Sequence, residues 1–173
     1  MCGIVAYIGS KPARPLLIEG LKRLEYRGYD SAGIAVLNGK LNVCRAVGRV
    51  SILEEKLESC PGFDGTLGMA HTRWATHGGV TEVNAHPHRD DKNGIALVHN
   101  GIIENYAALK TYLKERGHSF TSETDTEVIA HLIERFLPGR SLEEAVRMAV
   151  KQLSGVFALG IVMWESLTGS YLF

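Results

Sequence analysis

Asn38-Gly39 lies between two apolar runs, Gly33–Leu37 and Leu41–Val47. An Asn-Gly pair in that setting is the strongest short-range signal for an antiparallel hairpin. Gly3–Ile8, short, apolar and closed by Gly9, reads as a buried strand. Leu16, Leu17, Leu21 and Leu24 recur at helical spacing ahead of a stop at Gly28. A helix is expected from about Ser51 to Ser59, then strands near Thr66–His71 and Ile95–His99 enclosing a polar, His-rich loop from Thr72 to Asp91. A helix carrying Ile103, Ala107, Leu109 and Leu113 stops at Gly117. Thr124-Asp125-Thr126-Glu127 reads as a capping box for a helix through Leu137, and Ser141-Leu142-Glu143-Glu144 opens another, ended by Gly155. Val156–Trp164 is a long apolar strand. Tight hairpins beside grouped helices favour an α+β architecture over a doubly wound parallel sheet.

The chain's 173 residues suit one domain with a sizeable core. Nineteen Lys and Arg balance nineteen Asp and Glu, so charge gives no reason to expect a nucleic acid or an anionic membrane as partner. No stretch approaches the ~18 apolar residues of a membrane span, and the N-terminus lacks the basic and apolar regions of a signal peptide. Nucleotide-binding glycine motifs are absent. Three cysteines, Cys2, Cys44 and Cys60, without a C-x-x-C pair, suit a reducing cytoplasm.

Cys2 is the first candidate for chemistry. Removal of the initiator Met would leave a free α-amine beside its thiol, with an unperturbed pKa of about 7.7–8.0, suited to a general base near neutral pH. The blander alternative is a small apolar residue starting a strand. His71-Thr72-Arg73-Trp74-Ala75-Thr76-His77-Gly78 leaves a strand for a loop, where scaffolds present functional groups. Arg73 offers a planar fork suited to a carboxylate, with Thr76 and His77 adding polar contacts; the alternative is a surface loop anchored by Trp74. Asn100-Gly101, at a strand end, pairs a side-chain amide with an unobstructed backbone N–H, as an oxyanion hole requires, or is an ordinary Asn-Gly turn. Asp125, at a helix start, could hold an ammonium or simply complement the helix dipole. His86-x-His88 with His71, His77 and His99 invites a metal reading. No cysteine lies near them in sequence and zinc sites need oriented partners, so neither metal nor cofactor is expected.

Taken together these segments resemble the glutaminase domain of the glucosamine-6-phosphate synthases, class II glutamine amidotransferases. The resemblance is carried by Met1-Cys2-Gly3-Ile4-Val5, Leu24–Gly33 with Tyr26-Arg27-Gly28-Tyr29-Asp30 at its centre, and His71–Gly78. It continues through Asn84-Ala85-His86-Pro87-His88, His99–Asn105 and Ser122–Glu127, in family order, covering residues 1 to about 165. It implies an N-terminal-nucleophile fold, a four-layer αββα sandwich. It also implies that Cys2 attacks the side-chain amide of L-glutamine, that Asn100 and the N–H of Gly101 hold the oxyanion, and that water hydrolyses a thioester. Arg73 would clamp the substrate carboxylate and Asp125 its ammonium, while Trp74, Thr76 and His77 line or close the pocket. Arg27, Gly28 and His86 would support the loops around it.

In that family a sugar-phosphate isomerase portion follows, through which fructose 6-phosphate accepts the ammonia, and the full-length enzyme is a homo-oligomer. Residues 1–173 are therefore expected to form an incomplete glutaminase domain, with the isomerase domains and the sandwich's last strands beyond Phe173. Rival readings are a phosphoribosylpyrophosphate amidotransferase or asparagine synthetase type, a glutamine-binding module without turnover, and an inactive fragment.

Overall fold

The computed structural model describes residues 2–90, 92, 94–165 and 169–172, with the side chains of 165 and 169–172 excepted. Met1, Asp91, Asn93, Ser166–Thr168 and Phe173 lie outside them, so the expectations resting on Met1 removal and on the chain's last residues fall partly outside the described residues. Strand β1 (Gly3–Ile8) leads to helix α1 (Ala13–Leu24), a 3-10 turn over Glu25–Arg27, and the hairpin β2 (Ser31–Asn38) and β3 (Lys40–Val47). Next come α2 (Val50–Glu58), β4 (Leu67–Arg73), β5 (His88–Arg89) and β6 (Ile95–Gly101). Three helices, α3 (Tyr106–Lys114), α4 (Glu127–Phe136) and α5 (Leu142–Val150), precede β7 (Phe157–Glu165) and β8 (Gly169–Leu172).

Two antiparallel four-stranded sheets result, ordered β1-β4-β2-β3 and β5-β6-β7-β8. Strand alternation explains how they stack, because successive side chains point to opposite faces. On β2, Ala32, Ile34 and Val36 pack outward against Leu17, Leu21, Leu53 and Leu57 of α1 and α2. The intervening Ala35 and Leu37 pack inward with Met69 of β4 and with Ala96, Val98 and Val162 of the second sheet. On β6 and β7, Ile95, Leu97, Ile161 and Met163 turn to the other helical layer, against Ile103, Leu113, Ile129, Leu132 and Leu142. The order of layers is thus helices, sheet, sheet, helices. Helix α4 sits at the middle of its layer, and every residue from Glu127 to Glu134 is buried.

The β2–β3 hairpin forms at Asn38-Gly39 as expected, and the Ser141 capping box is realised with Glu144. Three details differ from the sequence expectation. The His-rich loop contains a short strand, β5, paired to β6. Ile103 precedes α3 rather than riding on it, and is fully buried. The Thr124–Glu127 capping box does not form: α4 starts at Glu127, and its N-cap Thr126 makes no side-chain cap bond. The Thr124 hydroxyl instead lies 3.1 Å from His88 Nε2, and that of Thr126 lies 2.9 Å from His99 Nδ1. Buried imidazoles need hydrogen-bond partners, and this tertiary demand outweighs a local cap.

Candidate active site

Strand parity carries chemistry to one end of the layer between the sheets. Ile4, two residues after Cys2, packs inward on β1. Met69 does so on β4, which puts His71 and Arg73 on the same face. Val98 does so on β6, two residues before Asn100. The register pairs Gly3 with Thr72, so Cys2 falls opposite the Arg73-Trp74 strand end. These ends meet around a cavity of about 540 Å³ lined by Cys2, Arg73, Trp74, Thr76 and His77 on one side. Asn100, Gly101, Asp125 and His86 line the other side, and Arg27 also reaches it. Gly28 stands just behind: its φ is +94°, and a Cβ there would come within 2.8 Å of the Trp74 ring. A larger hollow of about 1160 Å³, lined by Lys40, Arg89, Glu134 and Trp164, contains none of the residues expected in a site.

Cys2 Sγ accepts a hydrogen bond from the Trp74 N–H at 3.2 Å and lies 3.6 Å from the Trp74 carbonyl oxygen. Asn100 Nδ2 donates to the Cys2 carbonyl at 3.4 Å, while its Oδ1 is held 2.9 Å from His71 Nε2. That contact requires a proton on Nε2 and fixes the amide with its N–H₂ toward Cys2. Gly101 has a φ of +127°, and a Cβ would meet the Val156 carbonyl oxygen at 2.2 Å. Only glycine fits, which leaves its N–H unobstructed by a side chain.

Arg73 is buried, and its guanidinium reaches the carbonyls of His77 at 2.5 Å and Gly79 at 3.1 Å. The Asp30 carboxylate is 3.8 Å away and also accepts from the Ala75 N–H. Arg73 and Asp30 therefore brace the Trp74–Gly79 loop, a role the sequence did not disclose for either residue. Asn84 and Glu123 clasp the same loop to the turn before α4: Asn84 Nδ2 donates to Gly79 O at 3.0 Å and to Glu123 Oε2 at 2.9 Å. Asp125 accepts from the Ile103 N–H at 2.8 Å, which sets its carboxylate in the wall. Trp74 is 54% exposed at the rim, and the His77 ring meets Tyr106 edge-on.

His71, His86 and His99 form a buried stack at the cavity wall, with the His71 and His86 rings 4.2 Å apart and His88 edge-on to His86. His86 Nδ1 accepts from the His99 N–H at 3.1 Å, and the His86-Pro87 bond is cis. Burial, chiefly, lowers all four from their ordinary value, His71 to about 4 and His86 and His88 well below it. The unfolded chain takes up these protons near pH 6.5, so below that it binds more protons than the native state. Thermal stability should hold above about pH 7 and fall as pH drops from about 6.5 toward 4. A melting temperature unchanged down to about pH 4.5 would contradict neutral, buried imidazoles.

Residues 71–172, more than half the chain, match the glutamine amidotransferase domain family. Glutamine–fructose-6-phosphate aminotransferases (isomerizing) from Gloeobacter violaceus and Clostridium acetobutylicum are 58% and 55% identical over 163 residues, 94% of this chain. The chain spans about a quarter of their length, 27% and 26% respectively. Among solved structures, the glutamine phosphoribosylpyrophosphate amidotransferase of B. subtilis superposes with a TM-score of 0.80 at 30% identity. That match covers 94% of this chain and 35% of the other. A glutamine aminotransferase class-II domain protein from Silicibacter pomeroyi, TM-score 0.58 at 15% identity, shares the fold over 97% of this chain and 79% of its own. The expected αββα N-terminal-nucleophile sandwich is the observed fold. With the family's domain matched from His71 through β8, the chain belongs to the glutamine amidotransferase domain family.

Proposed function

We propose that this chain hydrolyses the side-chain amide of L-glutamine, with Cys2 as nucleophile. The observation that carries the reading is the convergence of Cys2, Asn100, Gly101, Arg73 and Asp125 on one cavity at the open end of the sandwich. Once Met1 is removed, the α-amine of Cys2 takes the thiol proton as Sγ attacks the amide carbon. The resulting oxyanion accepts from Asn100 Nδ2–H and the Gly101 N–H. Collapse breaks the C–N bond, the proton passes from the α-ammonium to the leaving nitrogen, and ammonia departs. Water, deprotonated by the same amine, then opens the thioester to give glutamate and restore the thiol.

Arg73 and Asp125 hold the amino-acid end of the substrate, and Trp74, Thr76 and His77 shape the pocket's mouth. Residues 1–173 act as the glutaminase portion of a longer, homo-oligomeric cytoplasmic enzyme that passes ammonia to fructose 6-phosphate, giving glucosamine 6-phosphate. The names of the relatives support that acceptor, and three free cysteines suit the compartment. Among the described residues no helix is long and apolar enough to cross a membrane. Mass spectrometry of the N-terminus beside a glutamate-release assay tests the central claim. Chains beginning at Cys2 should turn over glutamine, and chains retaining Met1 should not. Equal turnover by both would remove the α-amine from the mechanism.

Arg73→Lys should raise the KM for glutamine at least tenfold and lower kcat less. Lysine keeps the charge but loses the fork that binds two partners at once, including the loop carbonyls of His77 and Gly79. An unchanged KM with a collapsed kcat would assign Arg73 a different task.

A further inference from the structure

Helix α4 carries a second group of chemically capable side chains, away from the cavity just described. His131 and Glu134, three residues apart on α4, face His118 from the segment joining α3 to α4. One ligand atom from each falls within 4.8 Å of the others, and these three are the only described His, Cys, Asp or Glu residues grouped that closely. We propose that His118, His131 and Glu134 bind a single divalent cation of the zinc class, with water from the neighbouring groove completing the shell.

The distances suit an ion. Glu134 Oε2 lies 3.4 Å from His118 Nδ1 and 3.5 Å from His131 Nδ1. Ligands about 2.0–2.1 Å from a tetrahedral zinc are separated from one another by about 3.3 Å, so both glutamate distances already fit, and the two imidazoles, within 4.8 Å of each other, draw together to close the shell. Two imidazoles and one carboxylate form a borderline donor set that favours zinc over magnesium or calcium. The Lys92 ammonium, 3.9 Å away, approaches the other oxygen, Oε1, and its side chain is 80% exposed. Oε2 is the oxygen that faces both rings.

Glu127 stands where an outer-shell partner would. His131 Nε2 points at the Glu127 carboxylate, 3.9 Å distant. That separation is longer than a hydrogen bond, and closing it on metal binding would orient the imidazole and raise its basicity. Glu127 is itself fixed by the backbone N–H groups of Thr121 and Ser122, at 2.9 and 2.7 Å, and by both hydroxyls. Those residues belong to the turn that presents Asp125 to the cavity, so a bound ion would brace the turn from behind. Glu134 also lines the large hollow, which gives the ion a route in from solvent.

The test loads the 173-residue chain with zinc or cobalt(II) and follows stoichiometry, melting temperature and absorption. One equivalent should bind, and a hundredfold excess over Kd should raise the melting temperature by about 5 °C or more. His118→Ala, at a partly exposed loop position, and Glu134→Gln should each weaken binding at least tenfold. The cobalt form should show ligand-field bands without thiolate charge transfer. X-ray absorption of the zinc-loaded wild type reads the site without any variant: nitrogen and oxygen scatterers at about 2.0–2.1 Å support it. No saturable binding, unchanged affinity in either variant, or sulfur at about 2.3 Å would each overturn the proposal.

Discussion

Cys2→Ala is expected to reduce glutamate release from glutamine to the background of the assay, while the fold persists. The thiol lies at the head of β1, where its contacts are the Trp74 N–H and carbonyl. It is half-buried rather than part of the three apolar clusters, so its loss removes little packing. Substitutions of that kind are usually within ±0.5 kcal/mol, which for a chain of this size shifts the melting temperature by about 2 °C or less. The chemical loss is of a different order. Without sulfur no thioester can form, and neither of the other cysteines lines the cavity. Cys2→Ser is the sharper companion, because it keeps the shape and substitutes a weaker nucleophile. Glutamate release by Cys2→Ala comparable to that of processed wild type would end the covalent mechanism. A collapse of melting temperature alongside activity would recast Cys2 as structural.

Much of the architecture was legible because its determinants are local. The Asn38-Gly39 hairpin, the alternation on β2 and the capping box at Ser141 each depend on neighbours a few residues away. That Arg73 and Asn100 would come to lie at loop-facing strand ends could be read for a related reason: both stand at strand-to-loop transitions. What stayed hidden was the second partner of each residue. Nothing local says that Thr126 will reach the His99 and His86 rings rather than cap its helix, since that bond spans 27 residues in one case and 40 in the other. The bond from the Ala75 N–H to Asp30, 45 residues apart, is of the same kind. So is the clasp between Asn84 and Glu123, separated by 39 residues. His71 was half visible. It sits two residues before Arg73 on the same strand, so parity turns both to one face, but its partner Asn100 is known only once the sheets are stacked. The histidines that looked most like metal ligands form the buried stack, and the group whose ligand atoms converge lies elsewhere, at His118, His131 and Glu134.

Asn100→Ala should lower kcat by about 10²–10³-fold with little change in the KM for glutamine. The reasoning turns on when the amide is needed. The ground-state carbonyl of an amide accepts a hydrogen bond weakly, whereas the tetrahedral intermediate places a full negative charge on the same oxygen. A fixed donor therefore gains most of its value in the transition state, and removing it leaves substrate affinity nearly intact. The donor here is fixed from behind. His71, neutral because burial lowers it to about 4, gives its Nε2 proton to Asn100 Oδ1 and so prevents the amide from flipping. Asn100→Asp is the informative second variant, since it is nearly isosteric but replaces the donor with a carboxylate facing the developing charge. Its kcat should fall at least as far as that of the alanine variant. His71→Gln tests the support separately: an amide that can still donate to Oδ1 should retain more kcat than His71→Phe, which cannot. If instead Asn100→Ala raised KM and spared kcat, Asn100 would be a substrate-binding group, and the oxyanion would have to rest on the Gly101 N–H and other donors.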